Sequence, residues 1–211
     1  PIQLVLALGV AMLLMQVRRF AGFFRAAYFV PFVTSFVAVA FVWNWLYAPQ
    51  VGLINQLLDA VGLPKQMFLN SPYQALPAIA TVAVWRSIGF AIIIFLAGLQ
   101  QIPEMYYEAA RIDGANRWHI FWRITLPLLN PVIVYIAVLQ TIGFLRMFDL
   151  VQNMTGGGPL NSTTTVVLEV YSEGFGSYNM GYAGALTVIL FGLILLITVI
   201  QLRLLSRRVE Y

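Results

Sequence analysis

Residues 108–131 read EAARIDGANRWHIFWRITLPLLNP, the most polar passage of a chain that is 61% hydrophobic and 9% charged. The passage holds the only histidine, His119, together with Arg111, Arg117 and Arg123. Acid–base or metal chemistry needs several such groups converging on one point. A single histidine and no cysteine exclude a multi-histidine site, a thiolate metal site and any disulfide. A second chemical candidate is TGGGP, Thr155 to Pro159. A phosphate cradle of the P-loop kind needs Gly-Lys-Ser/Thr after its glycines. The only lysine, Lys65, lies between Pro64 and Gln66, so TGGGP is expected to be a tight turn. Asn153 and Asn161 open N-x-S/T triplets, a short pattern common by chance. His119 is expected to be a solvated loop residue.

The elements that would position these residues are apolar. The mean hydropathy is +0.84 over 211 residues, which makes the bilayer the expected solvent. The net charge of +4 is scattered rather than massed in a stripe, so it points to membrane topology and not to nucleic acid. Five apolar stretches stand out, at about 1–16, 26–47, 74–99, 128–150 and 178–204. In lipid a helix satisfies its backbone within one segment, and the alternating ten-residue strands of a barrel are missing. The expected fold is all-α, a polytopic helical bundle with five transmembrane helices in one domain over 1–211. The first apolar run, Ile2 to Met15, is shorter than the roughly 20 residues of a full span. With Pro1 as its first residue, the chain is expected to lack its natural start.

Lys and Arg set the orientation. Arg18, Arg19 and Arg25 follow the first stretch, Arg111, Arg117 and Arg123 follow the third, and Arg203, Arg207 and Arg208 follow the fifth. Nine cations thus fall on one side and Lys65 alone on the other. The polar passage and the C-terminus are therefore expected in the cytoplasm. On the outer side, Leu53, Leu57 and Leu58 have the spacing of a short amphipathic helix within Gly52 to Val61. The later outer segment, Asn161 to Tyr178, carries Glu169 and Glu173 and no cation.

Pro103 suits a first helical position, Glu104 a first turn and Gly114 the left-handed residue that ends a helix. One short helix is expected from Pro103 to Asp113. Asn116 can cap a second, whose Trp118, Phe121, Trp122 and Thr125 share a face apolar enough to pack on the bundle. Glu104 and Glu108, four apart, present like charge on one face, and Arg111 can relieve Glu108 from three residues on. Such a helix beside Ala109 and Ala110 fits a basic groove on another protein, or equally a solvated interfacial helix.

Glu108, Ala109, Ala110, Gly114, Ile124, Leu126 and Pro127 reproduce without a gap the EAA loop of ABC importer permeases, which the chain resembles. FLAGLQQIPEMYYEAARIDGA, FDLVQNMTGGGP and NMGYAGALTVILF are similar to its carbohydrate branch, the permeases like the MalF subunit of the maltose importer. The resemblance covers essentially the whole chain. It implies a MetI-like six-helix core of which this chain would lack the first helix, and a cytoplasmic coupling loop at 100–127. Glu108, Ala109, Ala110, Asp113 and Gly114 would couple to the ATPase, with Glu108 the main polar contact. It implies import of a sugar, oligosaccharide or another small solute such as glycerol phosphate, by alternating access across the bacterial inner membrane. The implied partners are a second homologous permease, two ATPase subunits and an extracytoplasmic solute-binding protein. No cofactor or metal is implied, and no catalysis in this chain. With no Walker lysine here, ATP energy would come from the partner.

Arg86 falls near the middle of the third stretch, where a charge faces a cavity or a partner. Gln140 and Thr141 lie about a helical turn before Phe144 and Phe148 on the fourth. Polar groups beside aromatic faces suit a sugar. The resemblance places the substrate pathway at Arg86, Ser87, Phe90, Gln140, Phe144 and Met147. The other reading of Arg86 is a packing counter-charge or carbonyl ligand. Arg146 is explained by an ion pair with Asp149 or by snorkelling. A secondary transporter would need intramembrane acids, and only Asp149, at an edge, qualifies. A membrane enzyme would need the convergent groups already excluded. A scaffold without transport is the rival that sequence excludes least well.

Overall fold

The computed structural model describes residues 1–17 and 19–205. Arg18, Arg207 and Arg208, three of the cations used for orientation, lie outside the described residues. Among the described residues the secondary structure is helical and no strand occurs. In order, α1 covers Ile2–Gln16, α2 Ala21–Val33, α3 Phe36–Leu46, α4 Leu53–Ala60, α5 Ala75–Gln100 and α6 Glu104–Ile112. Next come α7 at Arg117–Ile120, α8 at Leu126–Leu128, α9 at Asn130–Leu145, α10 at Asp149–Met154, α11 at Val166–Tyr171 and α12 at Met180–Leu205. π-helical turns occupy Phe121–Thr125 and Ser172–Gly176.

Five spans are expected from sequence, and the structure corrects their continuity. Among the described residues, only α5 and α12, 26 residues each, are long and apolar enough to cross a bilayer unbroken. Each reaches about 39 Å at 1.5 Å per residue, against about 30 Å of hydrocarbon. The second stretch is broken at Thr34 and Ser35 into α2 and α3. Pro31 lies inside α2; it has no N–H to give and crowds the carbonyl four residues back. The fourth stretch ends early, at Leu145, and its α9 is bent by 63° from the preceding 117–128 segment. Counting each bent pair as one span gives up to four among the described residues. The first, α1, is a shorter apolar helix of 15 residues.

The chain divides into two compact units. One comprises Pro1–Phe32, Ser87–Thr141 and Leu196–Tyr211. Its core interleaves small residues of α1 (Ala7, Ala11) with Ile92, Phe95, Leu96 and Leu99 of α5, closed by Leu129 and Ile136. Glycine sets the approach of α2 to α5 here. A Cβ on Gly89 would collide with the backbone carbonyl of Tyr28. In lipid such close backbone contact is a main source of helix association.

The other unit comprises Val33–Arg86 and Ile142–Leu195. Val39, Ala40 and Tyr47 pack with Ala78, Ile79, Val82 and Ala83 of α5 and with Leu150, Val151, Met154 and Leu168. The expected amphipathic helix is α4, with Leu53 and Leu57 outward. It is fixed by fully buried Asn55, whose side chain bonds Pro49 and both backbone groups of Gln66. TGGGP is the tight turn expected. Gly156 and Gly157 take φ of +58° and +93°, which glycine adopts without strain. The turn closes on buried Thr163, whose hydroxyl meets that of Thr155 at 2.7 Å and donates to the Gly158 carbonyl at 2.9 Å.

Candidate functional site

The polar passage lies within the first unit and forms the expected helix–turn–helix. Helix α6 begins after Pro103, which takes the cap position rather than the first helical one, and ends at Ile112 with Asp113 as its C-terminal cap residue. Gly114 follows at φ +76°, and the Ala115 N–H bonds back to the Ala110 carbonyl at 2.9 Å. That closure over a left-handed residue is the glycine-terminated helix end. Asn116 then caps α7, its side-chain oxygen accepting from the His119 N–H at 2.8 Å. His119 is thus exposed on a capped helix, not in a loop.

Of the five coupling residues, Glu108, Ala109, Asp113 and Gly114 are exposed, and Ala110 alone is buried. Ile112 is 86% exposed and Met105 67%. The expected relief of Glu108 by Arg111 is not realised as a contact. Among the described residues, the ion pair within 4.0 Å is Lys65–Asp59 on the outer loop. Among those residues the face thus keeps Glu104 and Glu108 without an ion pair, beside exposed apolar side chains.

The second helix departs from its expected face. The π turn at Phe121–Thr125 adds a residue to the turn and rotates the helix beyond it. Thr125 is buried, 3.3 Å from the Tyr107 hydroxyl, which ties the second helix to α6. Trp118 and Trp122 instead point outward, 71% and 47% exposed. They form an aromatic cluster with Phe121 of the kind that sits at a membrane–water boundary.

The six substrate-pathway residues fall three to each unit. In the second unit, Arg86 serves the helix break. Its guanidinium donates to the Thr34 carbonyl at 3.0 Å and lies 3.4 Å from the centre of the Phe36 ring. A broken helix leaves carbonyls unsatisfied, and lipid offers them nothing. Arg86 supplies the donor and stacks its plane on the first residue of α3. The carbonyl-ligand reading of Arg86 is therefore realised. Phe144 and Met147 pack, half-buried, on the core of this unit.

In the first unit, the Ser87 hydroxyl accepts from Gln3 Nε2 at 3.1 Å. Phe90 stacks on Phe32 at 5.1 Å and 22°. Gln140 is half-buried. Its neighbour Thr141 accepts from Gln201 Nε2 of α12 at 2.8 Å, and Asn130 donates to the Leu205 carbonyl at 2.8 Å.

The expected Arg146–Asp149 ion pair is not formed, since Lys65–Asp59 is the pair within range among the described residues. Sequence reasoning passed over the Thr34–Ser35 break, for which Pro31 was the signal. It also passed over Gly89, whose role depends on a backbone 61 residues away and has no local signal.

A family model described as "Binding-protein-dependent transport system inner membrane component" matches residues 3–211. The chain is 33% identical over 210 residues to the sn-glycerol-3-phosphate transport system permease protein UgpA of Agrobacterium fabrum (strain C58), covering 97% of this chain and 71% of that one. It is 36% identical over 205 residues to the trehalose/maltose transport system permease protein MalF of Thermococcus litoralis, covering 96% and 68%. The fold matches a bacterial ABC transporter involved in the import of the acidic polysaccharide alginate. That match has a TM-score of 0.84 and 25% identity, over 100% of this chain and 73% of that one.

Proposed function

Because the chain belongs to the family of binding-protein-dependent transport system inner membrane components, and is thus an ABC importer permease rather than an enzyme, we propose how its parts divide the work. The observation that carries the proposal is the exposed helix–turn–helix at 104–125. The Gly114 turn and the Asn116 cap join its two helices, and it presents acids and apolar side chains outward. We assign it to the cytoplasmic side as the coupling element. Glu108, Ala109, Ala110, Asp113 and Gly114 would contact an ATPase subunit, with Glu108 offering its carboxylate to a basic cleft. A second homologous permease completes the pore, two ATPase subunits power it, and an extracytoplasmic binding protein delivers solute.

The solute class is carbohydrate or a sugar-like polyol. Relatives named for trehalose and maltose support the neutral form. Those named for glycerol 3-phosphate and for acidic alginate support a form that carries acid groups. Ser87, Phe90, Gln140, Phe144 and Met147 remain the pathway candidates. Arg86 acts through the helix break instead. In alternating access, such a broken span is where a bundle can bend at low cost, since its backbone is already held by side chains.

The test is Glu108→Lys in the complete transporter, reconstituted in vesicles with its binding protein. Loss of solute-stimulated ATPase and of uptake, with all subunits still co-purifying, is the expected outcome. Uptake and ATPase at wild-type rates would end the coupling assignment.

A further inference from the structure

The second unit contains a cavity of about 450 Å³, at the residues just past α9, α11 with its π turn, and the first half of α12. Arg146, Phe148, Tyr171, Phe175 and Thr187 line it. The three rings form a ladder: Phe148 to Tyr171 at 4.9 Å, Tyr171 to Phe175 at 5.4 Å. Arg146 borders this space, and among the described residues its side chain has no ion pair. Asp149, three residues on, is out of range, and Glu169 of α11 lines a different cavity. The Thr187 hydroxyl donates to the Ala183 carbonyl at 2.8 Å, which leaves its oxygen free to accept.

Arg146 is exposed on the protein surface, and a guanidinium that faces lipid without an ion pair is costly, a cost that a bound anion offsets. Its planar fork matches the two oxygens of a carboxylate or phosphate. Aromatic faces beside it take the C–H face of a sugar ring or a glycerol backbone. We infer that this cavity is an anion site in which Arg146 binds a carboxylate or phosphate and the Phe148–Tyr171–Phe175 ladder holds the carbon skeleton attached to it. Arg86 plays no part, because its guanidinium serves Thr34 and Phe36. The anionic group can come from a sugar acid or polyol phosphate, or from a phospholipid headgroup. The solute source rests on the transport reading above; the site itself does not.

The experiment uses the complete transporter in phosphatidylcholine nanodiscs, with calorimetric binding of glycerol 3-phosphate against glycerol and of glucuronate against glucose. Wild type should prefer one of the acids by at least about tenfold. Arg146→Gln should erase that preference, and Arg146→Lys should keep part of it. A second arm purifies wild type and Arg146→Gln from membranes holding phosphatidylglycerol and weighs the retained lipid by mass spectrometry. Enrichment of phosphatidylglycerol that Arg146→Gln abolishes, without any solute preference, supports the site and assigns it to lipid. Charge preference absent from both arms, or surviving Arg146→Gln, overturns the inference. Tyr171→Leu, with all subunits still assembling, should weaken the same ligand; an unchanged affinity would remove the ladder from the site. ATP-driven uptake of a neutral sugar, with charge preference absent from both the solute and the lipid arm, would sink this inference alone. Arg146-dependent anion binding without uptake of any sugar would sink the transport reading alone.

Discussion

At the scale of one residue, Arg86 changed most between sequence and structure. Hydropathy alone marks it as costly, and two uses fit a mid-span cation: solute ligand or partner of a carbonyl. What sequence cannot supply is the partner, because Thr34 is 52 positions away and becomes available only when α2 stops. The structure gives Arg86 the Thr34 carbonyl and the Phe36 ring. Arg86→Ala would leave that carbonyl without its charged donor, a loss of about 1.5–3 kcal/mol for a hydrogen bond to a charged group. A lower midpoint of thermal unfolding in detergent is expected, with solute affinity of the folded fraction changed little. Arg86→Lys keeps a donor but not the flat stack, and should fall between. An unaltered midpoint with a large loss of solute affinity would return Arg86 to the solute pathway.

At the scale of elements, local signals were legible and long-range ones were not. The helix–turn–helix of 104–125 could be read because its determinants sit within a few residues of the structure they cause: Pro103 before the first turn, Gly114 at the end, Asn116 as cap. The π turn at Phe121–Thr125 could not be read, because no residue type there demands it. Pro31 could have been read and marks the broken span. Gly114→Ala tests the element most directly. At φ +76° nothing lies within 4 Å of an added Cβ, so the cost is backbone strain alone, about 1–2 kcal/mol. Solute-stimulated ATPase should drop while the remaining subunits still bind. Gly114→Asn should do less harm, since asparagine tolerates the left-handed region better. Equal activity of Gly114→Ala and wild type would show that the turn does not need its present angle.

At the scale of the whole molecule, the fold class was legible because bilayer physics leaves few choices to a chain this apolar, whereas the side on which each loop lies was read only from charge. The helix α12 shows why a chain of this family is not a finished object. Among its buried residues only Ala183 is found, and side chains such as Val188, Ile189 and Phe191 are each at least 66% exposed. Lipid and a second permease are the surfaces that would cover them. Orientation can be tested cleanly because the chain contains no cysteine. Single cysteines at exposed positions then report sidedness without background labelling. Ile112→Cys, at a position 86% exposed on α6, should react with a membrane-impermeant maleimide only after cells are permeabilised. Tyr73→Cys, at a position 90% exposed before α5, should react in intact spheroplasts. Adding the ATPase subunits to permeabilised membranes should slow Ile112→Cys and leave Tyr73→Cys unaffected, since only the first lies on the assigned docking face. The reverse pattern of labelling would invert the topology. The coupling assignment would fall with it, because an ATPase fed by cytoplasmic ATP can reach a helix only on that side.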